Sequence, residues 1–357
     1  MRPAIPTNME KTAAKTAEQA EMLANRLRKR LTHLRKWARR NAVEAFRLYD
    51  RDIPEIPLVL DFFGSLPEQA AIAGALYKRP YEKDETEEAI WLDAMRRAAA
   101  EATGVTEENV IIKERKRQRG TAQYEKVSQK GLTMVVSEGN LKFRVNLSDY
   151  LDTGLFLDRR AMRRMVAADS QGKRVLNLFC YTASFSVHAA AGGAASTDSV
   201  DLSNTYLAWG SENLALNGFE SQTVTLADAI EREPKTAHTL VRADVSEFIE
   251  TAARAGLRWD SIVLDPPAFS NSKMARGDFD LRRNLPDLLD RTIPLLSPGG
   301  KIWLSASARS FRGTAAELEA ALAGHSPRPA VADISRKAVD EDFRDRKLPR
   351  TFLVTGG

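Results

Sequence analysis

Asp201, Asp244 and Asp265 each stand at the end of a short apolar run. Another such run ends in Asn177-Leu178-Phe179-Cys180-Tyr181-Thr182-Ala183. Ionised carboxylates are acceptors only. One of them can take both hydroxyls of a ribose, as in dinucleotide sites, and a second can take the amino group of an adenine. The third opens Asp265-Pro266-Pro267-Ala268-Phe269. Two prolines there fix φ twice and remove two N–H donors, which makes a stiff ledge. Phe269 could stack an aromatic base on that ledge. Taken singly, each aspartate could also be a helix N-cap.

Other chemistries lack their residues. Cys180 is the single cysteine, which excludes an intramolecular disulfide and a cysteine-rich zinc site. His33, His188, His238 and His325 are scattered without metal-ligand spacing, so no metal is expected. No G-x-G-x-x-G follows the run at Asn177, and no phosphate-binding G-x-x-x-x-G-K-S/T occurs anywhere, which weakens nicotinamide and P-loop readings. No stretch approaches the roughly 18 apolar residues of a membrane span. The first 20 residues are polar, without a secretory apolar core, so a cytoplasmic protein is expected.

The elements around these residues follow a consistent rhythm. Strand-like runs at 174–179, 195–201, 239–243, 261–265 and 301–307 alternate with helical stretches at 182–191, 203–217, 245–255 and 281–296. Strands alternating with helices of 10–15 residues imply an α/β, doubly wound parallel sheet, whose ligands bind beyond the strand C-termini. The N-terminal third reads differently. Leu23, Leu27, Leu31, Leu34 and Ala38 predict one long helix over 18–48. A strand-like LVLDFFG, a helix over 85–103 closed by Gly104, and a hairpin turning at Glu138-Gly139-Asn140 follow it. The expected division is a polar tail at 1–20, a small α+β domain at 21–152 and the α/β domain at 153–357.

Charge separates along the same lines. The chain carries a net +5, yet residues 1–50 alone hold 12 Lys and Arg against 5 Asp and Glu. A second basic cluster is Lys113, Arg115, Lys116, Arg117 and Arg119. Localised positive charge on a balanced protein suits a phosphate-facing surface; the plain alternative is a solvated helix face.

NLFCYTASFSVHAAAGGA, VDLS, NLALNG, DPPAFSNSK and SPGGKIWLSAS together resemble the class I S-adenosylmethionine-dependent RNA methyltransferases. KERKRQRGTAQYEK and VNLSDYLDTGLFLDRR narrow the resemblance to the large-subunit (23S) rRNA guanine-N7 methyltransferases, which in many bacteria form the C-terminal half of a bifunctional chain. It extends from about Asn25 to the C-terminus. It implies a Rossmann-like methyltransferase domain with S-adenosylmethionine as cofactor. Phe156, Asp158 and Arg160 would then touch the cofactor from the side. Asn177, Phe179, Tyr181 and Thr182 would line its methionine end, Asp201 its ribose, and Asp244 with Val245 its adenine, with Asp265 close by. The chain departs from the pattern in three ways. No THUMP and guanine-N2 methyltransferase half precedes it, so the chain is expected to be either a free-standing version, with such a protein as a separate partner, or a piece excised from a bifunctional one. Ala183 replaces the usual glycine, and residues 220–238 read as a surface insertion.

The expected reaction is methylation of guanine N7 in 23S rRNA or a large-subunit assembly intermediate. N7 carries an in-plane lone pair, so no base is needed and the work is alignment. Asp265, Pro266, Pro267 and Phe269 would hold the guanine, extracted from its stack. Arg28, Lys29, Arg35, Arg39, the Lys113–Arg119 cluster and Lys273 would contact RNA phosphates. Cytosine C5 or guanine N2 methylation, or a non-catalytic ribosome-assembly factor, are the alternatives. C5 chemistry needs a cysteine nucleophile, and DPPAFSNS and LSASARSF contain none.

Overall fold

A computed structural model describes residues 8–65, 69–77, 84–114, 131–231, 236–270, 279–306, 311, 313–344 and 350–356. Arg115, Lys116, Arg117, Arg119, Asn271, Ser272 and Lys273 lie outside the described residues. The chain divides into two compact units. The first comprises Met1–Gln118, Glu125–Asn140 and Val145–Thr153, and the second Arg119–Tyr124, Leu141–Arg144 and Gly154–Gly357. Among the described residues, no helix is long and apolar enough to cross a membrane.

In the first unit, α1 (Asn8–Arg40) and α2 (Glu85–Thr103) pack together beside a four-stranded sheet. The strands β1 (Ala45–Asp50), β2 (Leu58–Phe63), β3 (Ala71–Leu76) and β4 (Val110–Glu114) lie in that order, with only the last pair parallel. The leucine stripe on α1 is buried, Leu23, Leu27 and Leu34 completely. Each such leucine contributes about 1.5–3 kcal/mol. The helix differs from the expected 18–48 at both ends. It begins at Asn8, because the Ala/Glu/Lys/Gln residues there are strong helix formers and Gln19 accepts the Trp91 indole N–H at 2.6 Å. Residues 8–20 are therefore not a tail. It ends at Arg40, because residues 45–50 bury Ala45, Phe46, Leu48 and Tyr49 in the sheet. β5 (Thr133–Glu138) and β6 (Leu141–Asn146) form the expected two-stranded sheet, with Gly139 at φ +62 in its turn.

The second unit is the α/β fold. Its sheet comprises β7 (Arg174–Leu178), β8 (Ser196–Asp201), β9 (Ser221–Thr225), β10 (His238–Arg242), β11 (Trp259–Leu264), β14 (Leu296–Ala306), β15 (Ala330–Asp333) and β16 (Arg350–Thr355). Their order is β15-β16-β14-β11-β7-β8-β10-β9, with β7 to β11 and β14 all parallel. Two-residue strands β12 (Phe269–Ser270) and β13 (Phe279–Asp280) pair separately. The helices are α3 (Arg160–Ala168), α4 (Ser184–Ala191), α5 (Asn204–Leu216), α6 (Leu226–Glu231), α7 (Val245–Arg254), α8 (Leu281–Thr292) and α9 (Ala315–Ala321).

Side chains alternate across a strand, so each apolar run feeds both faces of the sheet. Leu176, Ile262 and Ile302 join a core with α7, α8 and α9, while Val175, Val263 and Trp303 join another with α3 and α4. Residues 220–238 differ from the expected surface insertion. Ser221–Thr225 is the edge strand β9, in register with β10, and α6 follows it. Its T-V-T alternation is too short and too polar to be read as a strand without its neighbour.

Candidate active site

Because β7, β8, β10 and β11 are parallel neighbours, their C-termini share one edge. The order reverses at β7, whose two neighbours are β8 and β11. A crevice opens at such a reversal. Leu178 is level with Val200 and Leu264, and Asp201 with Arg242. Asp201, Asp244 and Asp265 therefore gather around the loop that leaves β7.

That loop is strained. Phe179, Tyr181 and Ala183 have φ of +57, +52 and +57, three of the five non-glycine residues with positive φ among the described residues. Each costs about 1–2 kcal/mol, the kind of strain that concentrates at binding sites. The zigzag sends the Tyr181 N–H to Asp201 Oδ2 at 3.0 Å and the Cys180 N–H to the Val200 carbonyl at 2.9 Å. Thr182 is fully buried; its hydroxyl donates to the Gly154 carbonyl at 2.6 Å, and its own carbonyl accepts from Asn213. Thr182 thus braces the loop and does not present its side chain to a ligand. Ala183 caps α4 in the left-handed conformation, where a glycine would be unstrained. Its methyl is buried against Gly210, where a Cβ would approach to 3.0 Å.

Asp201 accepts one backbone N–H on each oxygen, from Tyr181 and from Ser203, both at 3.0 Å. Burial pushes its carboxyl up to about 6, opposed by these backbone donors. It forms no ion pair among the described residues, so its remaining lone pairs suit two neutral hydroxyl donors. Asp244 is a helix N-cap: Oδ1 accepts from the Glu247 N–H at 3.1 Å, so the cap engages one of its two oxygens. Val245 is buried in the core, so its contribution reduces to its N–H at the first position of α7. Asn177 is buried, donates to Ser186 Oγ at 2.9 Å, and keeps an Oδ1 with no hydrogen-bond partner. An acceptor orphaned at the mouth of β7 fits a donor supplied by a ligand.

Aromatic rings meet beside the loop. The Phe156 and Tyr181 centroids are 5.0 Å apart, and Tyr181 meets Tyr206 edge-on at 4.4 Å. Phe156 is 42% exposed, enough to offer a ring to a ligand. Phe179, by contrast, packs against the hydrophobic core. Pro266 is buried, and the Phe269 backbone pairs with Asp280.

The LDRR turn differs most from expectation. Arg160 does not face the crevice. It is 1% exposed and donates to Asp340 and Asp342, tying α3 to the C-terminal segment. Its neighbour Arg159 turns toward Asp265 instead: Nε reaches both Asp265 oxygens at 3.2 and 3.0 Å, and Nη1 reaches Asp158 Oδ2 at 2.8 Å. Burial opposes the Arg159 charge, but Asp158 and Asp265 outweigh it and hold the guanidinium above the ordinary arginine range. Asp158 is spent on this pair. Adjacent arginines at a helix start point about 100° apart, and nothing in the sequence says which one faces inward.

Two other contributors carried a legible signal. Asn213 and Asn217 lie four residues apart in NLALNG, hence on one helix face. Asn213 accepts the Arg144 N–H, and Asn217 both accepts from and donates to the Lys142 backbone. They dock the strand segment that leads toward Gly154 and Phe156. Gly154, at φ +92, admits no side chain, since a Cβ there would lie 2.2 Å from the Trp209 ring.

The basic residues of the first unit divide as well. Lys29, Lys36, Arg39 and Arg40 are exposed. Arg28 pairs with Glu101 at 2.6 Å; Arg35 donates to the Thr103 carbonyl and lies over the Phe62 ring. Lys113 is turned inward. Its Nζ donates to the Tyr150 carbonyl, and burial lowers it to about 8 although Asp152 and Asp149 oppose the shift. Its ammonium is engaged within the unit, not displayed as an exposed charge.

The S-adenosylmethionine-dependent methyltransferase family profile matches residues 66–321. The ribosomal RNA large subunit methyltransferase K of Neisseria meningitidis is 43% identical over 331 residues, covering 93% of this chain and 86% of that protein. The ribosomal RNA large subunit methyltransferase K/L of Pseudomonas paraeruginosa is 42% identical over 343 residues. The match takes in 96% of this chain but only 43% of that longer protein. A solved methyltransferase structure from Streptococcus mutans shares the fold, with a TM-score of 0.69 at 22% identity over 94% of this chain and 81% of its own.

Proposed function

The chain belongs to the S-adenosylmethionine-dependent methyltransferase family, and from that premise we propose that it methylates guanine at N7 in large-subunit rRNA. The observation that carries the site is the set of three carboxylates on the ends of β8, β10 and β11 around the strained loop after β7. S-adenosylmethionine supplies an electrophilic methyl group when bound. The donor set fits it: Asp201 would hold the ribose hydroxyls, Asp244 Oδ2 and the Val245 N–H the adenine, and Asn177 Oδ1 the methionine end. Phe156 offers the exposed ring at the side.

Guanine N7 loses no proton on methylation, so the chain needs no general base. Its residues hold and orient. Asp265, an ionised carboxylate that can take several donors, would accept from the guanine N1–H and amino group. Pro266 and Pro267 stiffen that acceptor. Cys180 supports this reading over C5 chemistry, because it is buried and burial, with Asp201 nearby, pushes its thiol well up. A thiol kept protonated is a poor nucleophile. The test is nucleoside mass mapping of rRNA treated with the purified chain. The expected product is 7-methylguanosine, with Cys180→Ser retaining most activity. A product of 5-methylcytidine or N2-methylguanosine, or an RNA adduct that depends on Cys180, overturns the reading.

The first unit is assigned to RNA binding through Lys29, Lys36, Arg39 and Arg40. Arg28 and Arg35 contribute less, being engaged within the unit. Changing those four to Glu is expected to weaken rRNA binding and flatten its salt dependence. Each lost phosphate contact lowers the log–log slope by roughly 0.7–0.9. Equal slopes for variant and wild type would make α1 a solvated face.

A further inference from the structure

We infer that Arg159 is a positioning residue for methyl transfer, holding the Asp265 carboxylate in one orientation at the end of β11. The inference rests on the role proposed above for Asp265. It comes from comparing the three strand-end carboxylates. Asp201 is steadied by the N–H two residues on, at Ser203, and Asp244 by the N–H three residues on, at Glu247. Such local donors are the usual way a short carboxylate is fixed at a strand end. Asp265 is followed by Pro266 and Pro267, which have no N–H. The same two prolines that stiffen the ledge remove its nearest donors.

Arg159 supplies a restraint from 106 residues earlier in the chain. Its Nε lies within reach of both Asp265 oxygens, so rotation of the carboxylate is opposed. Arg159 is itself held, by Asp158 through Nη1 and by its own backbone N–H to the Phe156 carbonyl at 3.2 Å. Its side chain is 7% exposed and that of Asp265 13%, so water competes little for the pair. A guanidinium presents its donors in a rigid plane; a lysine ammonium is a single point and cannot reproduce the restraint.

The test uses the full chain with S-adenosylmethionine and rRNA. Arg159→Met is expected to lower kcat about 30-fold, on the scale at which misplacement acts in an alignment-driven site. Cofactor Kd by calorimetry should stay near wild type, Tm should fall because Asp265 and Asp158 lose a buried counter-charge, and Arg159→Lys should recover only part of the loss in kcat. Added guanidinium should restore turnover to Arg159→Gly, which a merely structural role would not allow. Lost cofactor affinity with no rescue by guanidinium overturns the inference, as does wild-type turnover in Arg159→Met. Should Arg159→Met fail to fold, Arg159→Lys decides, since unchanged kcat there also overturns it. The outcome is independent of the target atom: a wild-type product other than 7-methylguanosine overturns the proposed function, while the ratio of variant to wild-type turnover still tests Arg159.

Discussion

Asp265→Asn is expected to lower turnover by at least about 10²-fold, the cost of small misplacements in a site that works by alignment. The change keeps the shape of the side chain and replaces one acceptor oxygen with an NH2 donor. That donor meets donors on two sides. Arg159 Nε lies at 3.0–3.2 Å from the two oxygens of Asp265, so the amide loses at least part of the charge-assisted bond. The proposed guanine contacts, N1–H and the amino group, are donors too. Cofactor affinity should remain near wild type, because the ribose and adenine residues belong to β8 and β10. Single-turnover methylation of rRNA together with calorimetry checks both halves. Unchanged turnover would remove Asp265 from the site. Lost cofactor affinity would make it a cofactor residue instead.

The second large effect is on binding. Asp201→Ala should weaken S-adenosylmethionine by roughly 10- to 150-fold, the equivalent of about 1.5–3 kcal/mol for hydrogen bonds to a charged acceptor. RNA binding should persist. pH gives an independent handle. Burial holds the Asp201 carboxyl at about 6, above its ordinary value, so the free protein protonates there as pH falls. Two hydroxyl donors need the ionised form. Affinity should therefore be full above about pH 7 and fall by up to about tenfold per unit below 6. Asp201→Asn should be weak at pH 8 and lack this component of the pH dependence, so the difference between the two proteins isolates Asp201. Identical profiles, or wild-type affinity in Asp201→Ala, would refute its assignment to the ribose. Absence of any cofactor binding by the wild-type chain would favour a non-catalytic RNA-binding protein.

The sequence by itself determined the architecture of the second unit, because its signals are local and redundant. Apolar runs of five or six residues bounded by Asp, Gly or Pro can bury both faces only between helices, and that alone places Asp201, Asp244 and Asp265 at strand ends. The helix over 85–103 was equally legible: Asp84 caps its start and Gly104 its end. Where a segment depends on a distant partner, the sequence was silent. Residues 45–50 continue a helical pattern in sequence, yet they form β1 because pairing with β2 buries Phe46 against Phe62. β9 is a strand only because β10 lies beside it. Inside the site the division is the same. A carboxylate's place on a strand end can be read from alternation, but the donors on it cannot, unless they are the next few N–H groups. At Asp201 and Asp244 they are. At Asp265 the prolines remove the first two, and the choice between Arg159 and Arg160 falls to the tertiary structure. It turns one guanidinium toward Asp265 and the other toward Asp340 and Asp342, because adjacent residues on a helix cannot face the same way.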